Sequence, residues 1–133
     1  MNQITKLLVI LLGLALFGLT SCKQEAVTSV EIEFEEPMAG EIVTDASDVH
    51  IHIHFTATNG DLHDVEVMLH PDGDVNDLIL DFHQHDHAEE FVFEEEVDLS
   101  SYPAGTTFHL EAEVCLDHDC EEVEFGDIEF SIP

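Results

Sequence analysis

The chain has 133 residues, 31 of them Asp or Glu against two Lys or Arg, for a formal net charge of −29 with histidine neutral. A surface this acidic repels phosphate backbones and anionic headgroups, so nucleic acid is excluded as a partner; it attracts cations or a basic protein. The length leaves room for one domain with a modest core, and the ten histidines are a second excess in the composition.

In chain order the first element is an export signal. Met1 to Lys6 carries one positive charge, and Leu7 to Leu19 is almost unbroken Leu, Ile, Val and Ala. A basic start, an apolar run too short to span a bilayer and a small-residue exit describe a secretory signal peptide. The exit, Leu19-Thr20-Ser21-Cys22, resembles the bacterial lipobox. The resemblance implies that Cys22 is acylated, becomes the new N-terminus and holds the protein to a membrane. Each buried methylene contributes about 0.8 kcal/mol, so two or more chains make a durable anchor. Lys23 does not resemble the aspartate that retains enterobacterial lipoproteins on the inner membrane, which favours the outer membrane, on its periplasmic or surface face. The expected organisation is a signal peptide over 1–21, a lipidated cysteine and tether over 22–29, and one domain over 30–133.

After the tether the hydrophobic period is two. Ile32 and Phe34 alternate with glutamates, and Val49, Ile51, Ile53, Phe55 and Ala57 with His50, His52, His54 and Thr56. Val65, Val67 and Leu69 form a third run, and Leu78, Leu80 and Phe82 a fourth. Phe91, Phe93, Val97 and Leu99 share one phase, as do Phe108, Leu110, Ala112 and Val114. In the last run Val123 and Phe125 are out of phase with Ile128, Phe130 and Ile132, and the slip at Gly126-Asp127 predicts a bulge. Turn chemistry separates the runs, at Pro37 to Gly40, Asn59-Gly60-Asp61, Pro71 to Asp74 and Tyr102 to Gly105. One apolar and one polar face per strand predicts an all-β fold, an antiparallel immunoglobulin-like sandwich of about seven strands.

Particular motifs add a resemblance. Pro37-x-x-Gly40-x-x-Val43, Val49-x-Ile51-x-Ile53-x-Phe55-x-Ala57 and Leu62-x-x-Val65-x-Val67 resemble the opening of bacterial Ig-like modules. Tyr102-Pro103-Ala104-Gly105 leading into Phe108-x-Leu110-x-Ala112-x-Val114 is similar to their sixth strand. Over residues 30 to 133 the chain resembles small lipid-anchored Ig-like proteins of gram-negative bacteria, including a histidine-rich set without assigned activity. The resemblance implies a fold; such modules carry many roles. Where these modules usually read Asp-x-x-Gly-Asn after the sixth strand, this chain has Leu116-Asp117-His118-Asp119 between cysteines.

Two tracts read H-x-H-x-H: His50, His52, His54 and His83, His85, His87. On a strand each sets three imidazoles on one side, about 7 Å apart. The few residues between Phe82 and Phe91 predict a hairpin that puts the fourth strand beside the fifth. In the constant-type Ig order the fifth also pairs with residues 49–57. One outer face then carries two histidine rows with Glu90, Glu94 and Glu96 between them. That mixture of nitrogen and oxygen donors suits a divalent transition metal: zinc, copper or nickel. If the fourth strand joins the other sheet instead, the tracts lie on opposite faces and any sites are separate. The same imidazoles in a negative field could also sense pH.

With Cys22 assigned to lipid, Cys115 and Cys120 are an even pair in an oxidising compartment, which favours a disulfide over a Cys115-x-x-His118-x-Cys120 metal site. Asp72 to Asp77 lacks the glycine and glutamate of an EF-hand and reads as a turn. Nothing in the sequence builds a catalytic pocket, so no enzyme is expected. The reading is an envelope lipoprotein that binds transition metal on a histidine-rich sheet face. The alternative is an acidic Ig-like module that binds a basic protein. The anchor has a direct test: Cys22→Ala should abolish labelling by a fatty-acid probe and release the protein from the membrane fraction. Unchanged labelling would show the lipobox reading to be wrong.

Overall fold

The computed structural model describes residues 29–85 and 87–133. The predicted signal peptide, Cys22 and nearly all of the tether lie outside them. The period of two becomes seven strands: β1 (Ser29–Glu36), β2 (Val49–Thr58), β3 (Asp64–Pro71), β4 (Leu80–His85), β5 (Glu90–Val97), β6 (Thr107–Cys115) and β7 (Val123–Ser131). They form two antiparallel sheets, ordered β1-β2-β5 and β4-β3-β6-β7. The domain is an all-β sandwich.

Alternation dictates what lies between the sheets. Val49, Ile51, Ile53 and Phe55 of β2 are buried, while His50, His52, His54 and Thr56 are only half-buried on the outer side. Val65, Val67 and Leu69 of β3 and Phe108, Leu110, Ala112 and Val114 of β6 close the core from the other sheet. Shifting any of these strands by one residue would exchange its whole apolar set for polar side chains, which pins the register. The segment after β1 seals the edge at β7, where Val43 N donates to Ser131 O at 3.0 Å and Ser131 N donates to Glu41 O at 2.9 Å.

Two expectations are corrected. First, β4 does not hairpin with β5. It pairs with β3, with Asp64 opposite His85 and Val67 opposite Phe82, so the fourth and fifth strands belong to different sheets. The physical reason is the apolar phase of both segments. Phe82 stands 4.8 Å from Phe93 and 6.0 Å from Phe91, ring centre to ring centre, in contacts made across the sandwich. Backbone bonds fix the short connection in its crossing path: Leu62 N donates to Ala88 O and Ala57 N to Glu89 O, each at 2.8 Å.

Second, β7 carries no bulge at Gly126-Asp127. It pairs with β6 in unbroken register, Phe125 opposite Glu113 and Gly126 opposite Ala112. The phase slip is a change in which face carries the apolar residues. Val123 and Phe125 lie on the outer side, 46% and 51% exposed, whereas Phe130 and Ile132 are buried. Gly126 occupies an inward position because the Phe34 ring fills the space: a Cβ there would lie 3.1 Å from that ring. The irregularity sits instead in β1, between Phe34 and Glu36.

One end of the sandwich gathers the β2–β3 loop (59–63), the β4–β5 crossover and the β6–β7 loop (116–122). The chain also enters β1 there, since Ser29 pairs with Thr58 at the end of β2. The register of β7 yields a prediction. Phe130→Ala should cost about 3–5 kcal/mol as a buried deletion, and Phe125→Ala under about 0.5 kcal/mol as an exposed one. Urea midpoints with unchanged m values measure both. Equal costs would place the two rings on the same face and refute the register.

Candidate metal centre

The outer face of the three-stranded sheet carries the first histidine tract. Cross-strand pairing sets His50 opposite Glu96 and His52 opposite Glu94 on one side, and His54 opposite Glu33 on the other. The irregularity in β1 lets two successive carboxylates reach the tract, a use to which bulges are often put. Glu35 Oε2 lies 2.8 Å from His52 Nδ1, and Glu36 Oε2 lies 2.9 Å from His50 Nδ1. Nε2 of His50 is 3.0 Å from Glu94 Oε1. Both ring nitrogens of His50 therefore face carboxylates, which only the imidazolium satisfies with two N–H donors. The hydrogen bond to Glu36, then the one to Glu94, hold His50 above its ordinary pKa of 6.5. Glu33, Glu35 and His54 bring one ligand atom each to within 4.8 Å of one another. The expected carboxylate row of Glu90, Glu94 and Glu96 does flank this tract, interrupted by Val92 opposite His54.

The second tract lies on the other sheet. His83 and His85 project from the outer face of β4 toward Asp64 of β3, with His85 Nδ1 at 2.9 Å and His83 Nε2 at 3.3 Å from Asp64 Oδ1. His87 lies beyond the strand end. The two tracts thus occupy opposite outer faces and cannot share a metal, which corrects the single shared face. The hydrogen bond from His85, ahead of that from His83, holds the Asp64 carboxyl below its ordinary range.

Two histidines outside the tracts join His85 and His87 at the end of the sandwich. Ring centres lie 4.6 Å apart for His85–His87, 5.2 Å for His63–His87, 6.0 Å for His63–His118 and 6.5 Å for His85–His118. His63 is buried, 8% exposed, and its Nδ1 has no hydrogen-bond partner. Strand register assembles the group. Asp64 opposite His85 sets residue 63 beside the exit of β4, and Val65 opposite Val114 brings in the β6–β7 loop. That loop is closed by a Cys115–Cys120 disulfide, Cα to Cα 4.9 Å, so neither sulfur is available as a thiolate ligand. No sequence pattern joins His63 to His118; the only signals were the tract ending at His87 and a histidine between two cysteines.

A further pair sits mid-sheet on the same outer face. His70 and His109 are opposite residues of β3 and β6, and their rings stack at 5.4 Å. His70 Nδ1 lies 3.0 Å from Pro71 O, a carbonyl, so it carries the proton and donates. Nε2 is then the basic nitrogen. It is buried without a hydrogen-bond partner, 3.6 Å from Glu111 Oε1.

No protein-family model matches this chain, and no curated protein matches it. Among solved structures, a β-glucosidase from Listeria innocua in complex with glucose is similar at 14% identity, and the same enzyme in complex with gluconolactone at 13%. Each likeness covers 77% of this chain and 16% of the other, with a TM-score of 0.39. This chain therefore spans a small part of those enzymes, and a likeness of that size assigns it no activity.

The pairs predict a pH profile for the metal-free protein. A histidine raised by its partners stabilises fully below its ordinary 6.5 and loses that contribution as pH rises through the raised value. A lowered carboxyl stabilises above its ordinary 3.8 and loses the contribution as pH falls through the lowered value. Both contributions are present between about pH 4 and 6.5, so urea midpoints should peak there. His50→Gln should remove part of the decline on the alkaline side. A profile identical to the parent's would mean that the Glu36–His50–Glu94 bridge contributes nothing.

Proposed function

We propose that the protein is a lipid-anchored component of the bacterial cell envelope, probed best as a binder of divalent transition metal rather than as an enzyme. Zinc, copper or nickel would be held on the histidine-rich outer face of the three-stranded sheet. The observation that carries this reading is the convergence of His54 with Glu33 and Glu35 within 4.8 Å, in a row continued by His52 and His50. Imidazole and carboxylate donors side by side suit these ions. The role is to buffer, scavenge or pass on metal outside the cytoplasm.

A second reading draws on the charge. Lys6 and Lys23 are the only basic Lys or Arg residues of the chain, so the described domain offers a basic protein an almost uniformly acidic surface. Salt separates the two, because charge-driven docking between exposed groups weakens as ionic strength rises. Ligation responds instead to pH, since imidazoles must lose their protons to bind.

The test is calorimetric titration of the full chain in detergent with zinc, copper and nickel. Changing His50, His52 and His54 together to Gln leaves the buried side of β2 untouched. It should weaken binding at this face at least tenfold, or about 1.4 kcal/mol. Wild-type affinity and stoichiometry in the triple variant would remove the metal role from this face and favour the acidic docking surface.

A further inference from the structure

We propose that His63, His85, His87 and His118 form a second metal site, a four-histidine centre for a divalent transition ion, with Asp64 as the carboxylate that orients His85. It is independent of the face around His54 and stands if that one fails.

Geometry is the first support. The four rings close a circuit whose sides run from 4.6 to 6.5 Å between centres. A zinc–imidazole bond of about 2.0–2.1 Å puts each ring centre about 3 Å from the ion, and neighbouring centres of a tetrahedron about 5 Å apart. Four of the six ring-to-ring distances lie near that size, those of a circuit that a bound ion would have to draw closed across its diagonals. His87 and His118 are exposed and lie outside the core.

Burial is the second. His63 is more than nine-tenths buried, and its Nδ1 finds no hydrogen-bond partner, although buried polar atoms are normally satisfied. The rings that stand against His63 are those of His87 and His118, at 5.2 and 6.0 Å. A metal ion among these rings gives the nitrogen the partner it lacks.

The tautomer of His85 is the third. Its Nδ1 faces Asp64 Oδ1 at 2.9 Å, so a neutral His85 donates from Nδ1 and leaves the lone pair on Nε2. A carboxylate behind a histidine that presents its other nitrogen is the usual support of a metal ligand. His83 shares the same carboxylate but is 64% exposed, belongs to none of the four ring contacts, and is left out of the site.

The frame is the fourth. The Leu62 N to Ala88 O hydrogen bond ties together the segments that carry His63 and His87. The Cys115–Cys120 disulfide closes the loop that carries His118. An all-imidazole set selects zinc, copper or nickel over magnesium or calcium, and four protein ligands leave no position for a substrate on a tetrahedral ion. Such a centre holds metal or stabilises the loops.

Cobalt(II) is the probe, added to the full chain in detergent, because a tetrahedral cobalt centre absorbs far more strongly in the visible than an octahedral one. One equivalent should give the strong spectrum, and zinc should displace it. The exposed changes His87→Gln and His118→Gln, made together, should abolish the spectrum and weaken zinc binding at least a hundredfold, with the urea midpoint in chelator unchanged. Asp64→Asn should weaken zinc binding ten- to a hundredfold. His83→Gln, and the triple change at His50, His52 and His54, should leave the spectrum intact. A weak octahedral spectrum, or a strong one that survives His87→Gln with His118→Gln, overturns the proposal. A spectrum lost with His83→Gln assigns the ion to the strand-face triplet and also overturns it.

Discussion

The described domain has one kind of cationic side chain, and it is imidazole. Lys6 and Lys23 precede the first strand, so any ion pair made by side chains of the sandwich must use histidine. The contacts follow: His50 between Glu36 and Glu94, His52 on Glu35, His83 and His85 on Asp64, and His109 near Asp72. Arginine and lysine would give bridges that persist through the physiological range. Imidazole gives a full ion pair only on protonation; when neutral it donates one hydrogen bond and keeps a lone pair on its other nitrogen. The same side chains that can pair with the acidic surface are the ones that the proposed metal sites would use as ligands. Protonation and a metal ion would therefore compete for the same nitrogens.

How much of this was legible follows from which physics acts locally. A period of two is set by each strand's own two faces, so the seven strands and nearly all of the core could be read directly. Val49 to Phe55 left no alternative to outward histidines. Sheet membership is different, because a four-residue connection serves a hairpin or a crossing equally well. The crossing is held by contacts distant in sequence, the rings of Phe82 with Phe91 and Phe93 between sheets and the backbone bonds of the connection to Ala57 and Leu62. The phase slip in β7 has a similar origin. Val123 and Phe125 read as core by composition, but the Phe34 ring occupies the inner space at Gly126 and the register places both outside.

The histidines divide along the same line. A row such as His50, His52 and His54 is a property of one strand and is visible in the sequence. The group of His63, His85, His87 and His118 is a property of three connections meeting at one end, and depends on which strands are neighbours. Had β4 paired with β5, His85 and Asp64 would not be opposite each other. The sheet to which β4 belongs and the grouping of these four histidines therefore depend on the same strand pairing. His70 and His109 were overlooked for a related reason: they are single residues in otherwise ordinary runs until strand pairing stacks them.

The chain enters the sandwich beside Thr58, at one end of the fold. Ser29 begins β1 at the end where the β2–β3 loop and the crossover lie. Cys22 is seven residues earlier, a distance of at most about 25 Å of extended chain. If Cys22 carries the lipid anchor proposed above, the sandwich stands on that end, with His63, His87 and His118 toward the bilayer and the turn at Pro71 to Asp74 directed away. Ions reaching those imidazoles would come through the narrow layer between protein and lipid. In that arrangement the local concentration of cations would be set by the headgroups and the acidic sandwich together.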